Sequence, residues 1–271
     1  YDSADSKTLI KDCMDELGID DKILSHKVII SVISSFKDKY ISYEEALKDS
    51  MEGDNSRVIA RCYALYEKKL KQYNALDFDD ILFMTVELFK KHPEVLRKWQ
   101  ERFKYIIVDE YQDTSKIQYM FISMLSEKSQ NICVVGDDDQ SIYRFRGADI
   151  ENILSFEKQF KNCKVFKLEQ NYRSTANILE TANAIIKNNR RRKDKKLWTA
   201  DKTGEKLKFT LVENEREEAY KIAREIERIV DGGAKYSDIA VLYRMNAQSR
   251  LLEECFLKNA IPHRVVGGTR F

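Results

Sequence analysis

The sequence predicts an α/β protein with parallel sheets, preceded by a stretch that is helical throughout. Three observations carry this. Residues 1–76 place apolar side chains at helical spacing with no alternating strand among them. From Leu76 onward, short apolar runs alternate with helical stretches, the pattern of a parallel sheet with helices between its strands. The run Tyr105–Val108 then ends abruptly in two acids, Asp109 and Glu110, as a buried strand does when it delivers carboxylates to a sheet edge.

In chain order, Leu9, Ile10, Cys13 and Leu17 form the first helical stripe, and Val28, Val32 and Phe36 the second. Val58, Ile59, Cys62, Tyr63, Tyr66 and Leu70 form another. Asp77-Phe-Asp-Asp-Ile81 opens a helix with acids in its first turn, where the helix dipole favours them. Pro93 is placed to begin the next. Strands are expected at Tyr105–Val108, Ile132–Val135 and Val165–Leu168, with helices at 115–127 and 150–160 between them. A helix over 174–188 leads into the basic run Arg190-Arg-Arg-Lys-Asp-Lys-Lys196. A strand (206–212), a long helix (214–230), a strand (238–243) and a helix (247–258) follow, and Val265-Val266 is a candidate last strand. The pattern changes divide the chain into 1–76, 77–166 and 167–271.

Composition narrows the function classes. Apolar residues make up 43% and charged residues 34%, which supplies real cores under a polar surface and argues against global disorder. The net charge is only +2, so nucleic-acid binding has to rest on local patches. The five cysteines are widely spaced with no C-x-x-C pair, the pattern of reduced thiols in a cytoplasmic protein. His26, His92 and His263 are too scattered for a metal cluster, and no apolar run suits a membrane span. Tyr1 and Phe271 do not read as natural termini, so a piece of a longer protein is expected.

Three motifs carry chemistry. In Tyr105-Ile-Ile-Val-Asp-Glu-Tyr-Gln-Asp-Thr114, an apolar strand ending in Asp109 and Glu110 is a Walker B signature. There Asp109 holds Mg²⁺ and Glu110 handles the attacking water; the alternative is a pair of acids that begin the next helix. A Walker B strand works with a phosphate loop of the form G-x-x-x-x-G-K-[ST], and these residues contain none. In Val134-Val-Gly-Asp-Asp-Asp-Gln-Ser-Ile-Tyr-Arg-Phe-Arg-Gly-Ala148, Gly136 permits a tight exit from the sheet. The three acids Asp137, Asp138 and Asp139 need a cation or buried donors to offset their repulsion. Gln140 suits a sensor of a phosphate oxygen or of the attacking water. Tyr143, Phe145 and Arg146 with Arg144 interleave aromatics and cations, as in a single-strand stacking platform, or else are core aromatics beside a solvated face. In Leu168-Glu-Gln-Asn-Tyr-Arg-Ser-Thr175, Ser174 or Thr175 caps a helix, Arg173 is placed for an anion at its N-terminus, and Tyr172 for stacking on a base; the alternative is an ordinary turn. The run 190–196 is either a contact to DNA phosphates or a solvated loop.

Taken together, the three motifs resemble motifs II, III and IV of the UvrD/Rep/PcrA group of superfamily 1 DNA helicases, in order and at suitable spacing. Leu76-Asp-Phe-Asp-Asp-Ile-Leu82 and Ile239-Ala-Val-Leu-Tyr-Arg-Met-Asn-Ala-Gln-Ser-Arg250 also resemble that group, and the likeness spans about residues 55–271. It implies RecA-like parallel sheets of P-loop NTPase type in two partial motor domains, with residues 1–76 as an all-helical accessory insertion. Residues 77–166 would then be the back half of the first motor domain and 167–271 the beginning of the second. It implies ATP and Mg²⁺ as cofactors, and single-stranded and duplex DNA as partners. Asp109 resembles the Mg²⁺ ligand, Glu110 the catalytic base, and Gln140 the γ-phosphate sensor coupled to DNA. Tyr143, Phe145 and Arg146 fall on the DNA-contacting segment, although many relatives carry Trp where Phe145 stands. Tyr172 resembles the adenine-stacking tyrosine and Arg173 an arginine that reaches the γ-phosphate. The family's phosphate loop would precede Tyr1 and its later motifs would follow Phe271, so this chain alone is expected to hydrolyse ATP poorly. The rival readings are a nucleic-acid-binding module without ATPase activity and part of a helicase–nuclease.

Overall fold

A computed structural model of the chain describes residues 1–51, 54–160, 162–189 and 192–266. Its first elements begin where side chains satisfy orphan N–H groups. Asp2 accepts from the backbone of Ala4 and Asp5, and Asp5 returns a bond to the Asp2 N–H, which starts helix α1 (Ser3–Glu16). Ser25 begins α2 (His26–Asp38), a Ser42–Glu45 capping box begins α3 (Tyr43–Asp49), and α4 (Asn55–Gln72) follows. Leu9, Ile10, Cys13 and Met14 meet Ile29, Ile33, Cys62, Tyr63, Tyr66 and Leu70 in one apolar core. The stripe expected on α2 is displaced by one position. Val28 is half exposed, and the buried line runs through Ile29, Ile33 and Lys37.

Lys37 is the reason for the shift. Its Nζ lies 2.8 Å from Asp77, 2.6 Å from Asp80 and 2.8 Å from Glu67, with only 1% of the side chain exposed. Asp77 and Asp80 cap helix α5 (Phe78–Lys91) by a reciprocal box, so the ion cluster ties α2 to the start of α5. Pro93 occupies the first turn of α6 (Pro93–Arg102), as its missing N–H allows.

Strand β1 (Ile106–Val108) pairs in parallel with β2 (Ile132–Val134), Ile106 opposite Ile132 and Val108 opposite Val134. Helix α7 (Lys116–Ser126) connects them. Val108, Ile132 and Val134 pack with Tyr111, Phe156 and Phe160. The helix expected over 150–160 is two short ones, α8 (Glu151–Leu154) and α9 (Phe156–Gln159). Ser155 separates them; its hydroxyl bonds back to the Glu151 carbonyl, a bond that competes with helix propagation. Helix α10 (Ala176–Ile186) follows.

The strands expected at 165–168, 206–212, 238–243 and 265–266 are not formed among the described residues. These stretches lack ladder partners, and a strand exists only by pairing. Leu168, Phe209 and Leu242 are accordingly exposed. Among the described residues the parallel ladder is that of β1 and β2, and an isolated parallel bridge joins Gln170 to Trp198.

The chain divides into two compact units, one of residues 1–203 and one beginning at Gly204. In the second, α11 (Glu215–Asp231) and α12 (Ala247–Lys258) enclose Ala219, Ala223, Ile226, Leu252, Phe256 and Ile261. Ile239, Val241 and Tyr243 pack on this core while Leu242 faces outward, so the alternation of a strand survives without the ladder. None of the described helices is long and apolar enough to cross a membrane.

Candidate functional site

The site is built where β1 and β2 end. Asp109 is exposed, and its Oδ1 accepts the N–H of Glu110 at 2.9 Å. Glu110 is left-handed (φ 50°, ψ 41°), a region costly for a residue with a Cβ. This reversal starts a 3₁₀ turn over Tyr111–Asp113 and swings the next two side chains inward. Tyr111 packs edge-on against Phe156 at 5.6 Å. Gln112 is 1% exposed. Backbone pairing continues past the strands, from the Val135 N–H to the Val108 carbonyl and from the Tyr111 N–H to the Val135 carbonyl.

The Gln112 amide joins the two motif turns. Its Nε2 donates to Glu110 Oε2 at 2.8 Å, and its Oε1 accepts the N–H of Asp137 at 2.9 Å. Gly136 makes room for this: a Cβ there would stand 2.6 Å from Gln112 Oε1 and 2.9 Å from Ile153 Cδ1. Gly136 is therefore needed for close approach as well as for the turn. Asp137 in turn accepts from the Asp139 N–H at 2.9 Å and from Gln140 Nε2 at 2.8 Å. A continuous polar chain thus runs Glu110–Gln112–Asp137–Gln140. Farther along, Asn152 donates to the carbonyl and hydroxyl of Thr114, and the Asp149 N–H also meets that carbonyl.

Beyond Gln140 the aromatics face outward. Phe145 is 70% exposed and Tyr143 is exposed, so neither is a core residue here. Their rings lie 6.0 Å apart, and the Arg146 guanidinium sits 5.3 Å from Tyr143 and 5.6 Å from Phe145. Cation–π contact holds the three as one surface cluster. Gly147, left-handed at φ 85°, ends that turn.

Tyr172 and Arg173 lie on a separate turn. Asn171 Oδ1 accepts the N–H groups of Arg173 and Ser174, and the Tyr172 hydroxyl donates to Gln170. The Tyr172 ring and the Arg173 side chain are exposed. Thr175 holds the N-cap position of α10 without a side-chain bond.

The described part of the basic run is not a solvated loop, because it packs on acids of the second motif. Arg190 and Arg191 lie outside the described residues. Arg192 makes a bidentate pair with Asp139, and Lys195 meets Asp137, Asp138 and Asp139. The bonds from Arg192 hold the Asp139 carboxyl below the usual carboxylate range. Burial alone would raise Asp137, but Lys195 and Gln140 outweigh it and its pKa is lowered. Burial also opposes the charge on Lys195, yet the acids hold its pKa above the ordinary lysine value. Motif reading did not single out Gln112, and it named Arg192 and Lys195 only as part of the basic run, without their tie to the three acids. The three crowded acids were the usable signal, because such acids require a nearby cation.

The strand-end carboxylates have the donor chemistry that a magnesium ion takes. Mg²⁺ is commonly held by one or two carboxylates together with substrate phosphates, and Asp109 offers an exposed carboxylate at a strand end. Nearby, Asp113 Oδ1 is buried without a hydrogen-bond partner. Burial and the charge of Glu110 both raise the Asp113 pKa. Among the described residues, no three His, Cys, Asp or Glu side chains form a separate metal cluster.

Strand-end acids, a polar tie to a second motif turn and an exposed aromatic–cation cluster thus follow one another along the ends of β1 and β2. Residues 1–161 match the UvrD/REP helicase N-terminal domain, and residues 166–271 match the UvrD-like helicase C-terminal domain. The chain belongs to the UvrD/REP helicase family. It is 47% identical over 270 residues to the ATP-dependent DNA helicase PcrA of Staphylococcus epidermidis. It is equally similar to the protein of that name in Staphylococcus aureus. In both comparisons the whole of this chain is covered and 37% of the relative.

Proposed function

We propose that this chain supplies the Walker B side of an ATP-dependent DNA helicase that moves on single-stranded DNA in the cytoplasm. The observation that carries the reading is the buried Gln112 amide, which ties Glu110 to the turn bearing Gln140. A base for water and a sensor for phosphate are useful together only if their positions are coupled. In this reading Asp109 holds Mg²⁺, which neutralises charge developing on the phosphates. Glu110 takes the proton of the attacking water, and Gln140 reports whether the γ-phosphate is present. Tyr172 stacks on adenine, and Arg173 reaches the γ-phosphate from the second motor domain. Tyr143, Phe145 and Arg146 hold single-stranded DNA by stacking and charge. The division into an accessory helical part (1–76) and two partial RecA-like motor domains (77–166 and 167–271) belongs to the same proposal.

The test is ATP hydrolysis by the intact protein with and without single-stranded DNA, in the wild type and in Glu110→Gln. DNA-stimulated turnover that collapses in the variant while both ligands still bind supports the reading. Nucleotide-independent DNA binding with no hydrolysis by the wild type would favour a binding module, for which the exposed Tyr143–Phe145–Arg146 cluster is the supporting feature.

A further inference from the structure

The segment 192–195 lies past the point where the N-terminal helicase match ends, and the acids 137–139 lie before it. Both are in the first compact unit. Arg192 Nε and Nη2 reach Asp139 Oδ1 and Oδ2 at 2.9 and 2.8 Å, the parallel geometry that favours arginine over lysine. The Lys193 N–H donates to Asp138 Oδ2 at 2.7 Å, and the Lys193 ammonium pairs with Glu157. Lys195 bonds Asp137, lies 2.9 Å from Asp138 and 3.3 Å from Asp139. The Arg192 and Asp139 side chains are each 11% exposed, Lys195 17% and Asp138 7%. These are not the loose pairs of a wet surface, which contribute little. Removing either sign leaves charge stranded in a partly buried place.

Asp137 is the hinge of the argument. One oxygen faces Lys195 and the Asp139 N–H; the other accepts from Gln140 Nε2. Its backbone N–H is held by Gln112. Lys195 therefore acts on Gln140 through one carboxylate.

We propose that Arg192 and Lys195 form an electrostatic clasp on the Asp137–Asp139 turn, joining the two helicase regions and acting as positioning residues for Gln140. The clasp sets where the Gln140 amide stands and transmits movement of the second region to it. The sensor role of Gln140 rests on the function proposed above; the clasp itself does not.

The experiment has two arms on the intact protein. The first is amide hydrogen exchange without nucleotide or DNA. Arg192→Gln with Lys195→Gln should speed exchange at Asp139, Gln140 and Ser141 roughly tenfold or more, since local opening there loses its charge partners. The single reversals Asp139→Arg and Arg192→Asp should do the same, and combining them should bring exchange back toward wild type. Unchanged exchange in the neutral double variant overturns the clasp, as does failure of the combined reversal to recover. The second arm compares single-stranded DNA affinity in ADP and in a non-hydrolysable ATP analogue. The neutral double variant should lose most of the difference between the two states. Faster exchange with the difference intact overturns the positioning role. Unchanged exchange with lower DNA affinity in both states would make the run a DNA contact instead. A wild type that shows neither hydrolysis nor a nucleotide effect on DNA binding would defeat the helicase reading, while the exchange arm still judges the clasp.

Discussion

Glu110 is held in a left-handed conformation and hydrogen-bonded through its side chain to a buried amide. Both constraints aim one carboxylate, and neither depends on its charge. Glu110→Gln should therefore keep the fold and both ligands but lose roughly 10²- to 10⁴-fold in turnover, the ordinary contribution of a general base. Steady-state hydrolysis alongside nucleotide and DNA titrations checks this; near-normal turnover removes Glu110 from the role. Asp38 gives a second expectation. Burial, and then the charge of Asp79, push its pKa up to about 6, against a weaker pull from Lys39. The folded pKa lies above the unfolded value of 3.8, so the unfolded chain gives up this proton first. The Asp38 contribution to stability is therefore full below pH 3.8, falls as pH rises from there to about 6, and is level above that. Asp38→Asn should match the wild type in thermal midpoint at about pH 3, below both pKa values, and exceed it at pH 7. A constant offset across that range would contradict the assignment.

At the scale of elements, helix α2 exposes the limit of periodicity. Counting apolar residues assigns Val28, Val32 and Phe36 to its buried face, whereas the deepest position at its end is Lys37, at 1% exposure. No pattern of apolar residues finds a buried ammonium, because its burial depends on carboxylates that arrive from α4 and from the cap of α5. Burial raises the pKa values of Glu67 and Asp80, while Lys37 holds that of Asp77 down. Lys37→Met removes the cation and strands three acids, so about 3–5 kcal/mol of stability should be lost. Urea denaturation measures it. Adding Asp80→Asn to Lys37→Met should recover part of the loss, since one of the stranded charges is then gone.

At the scale of the whole molecule, the polar chain from Glu110 to Gln140 runs on toward the exposed Phe145 on one continuous segment. A shift of the Gln140 turn would move that ring. Stacking contributes about 1–3 kcal/mol per base, so Phe145→Ala should lower single-stranded DNA affinity by roughly one to two orders of magnitude. Hydrolysis without DNA should be nearly unchanged, and Phe145→Trp should keep or raise affinity. Equal DNA affinity of Phe145→Ala and wild type, in ADP and in an ATP analogue alike, would end the stacking account. Tyr172→Ala should weaken ADP and ATP together, whereas Arg173→Ala should impair ATP and spare ADP, because only ATP has a γ-phosphate; nucleotide titration separates the two.

Local sequence determined the helices and the motifs, because caps, helical spacing and strand-end acids act within a few residues. Asp77 with Asp80, Pro93 at the start of α6 and the boundaries of α12 were all legible in that way. The strands at 165–168, 206–212 and 238–243 were not, since apolar alternation states a capacity to pair and only a neighbouring strand realises it. Tertiary structure alone decided that Phe145 faces outward, that Gln112 is the tie between two motifs, and that the basic run 192–195 meets the acids 137–139. Each of these last depends on groups 25 or more positions apart, or on which side of a turn faces the core. A short sequence window contains neither the partner nor the desolvation that makes the pairing strong.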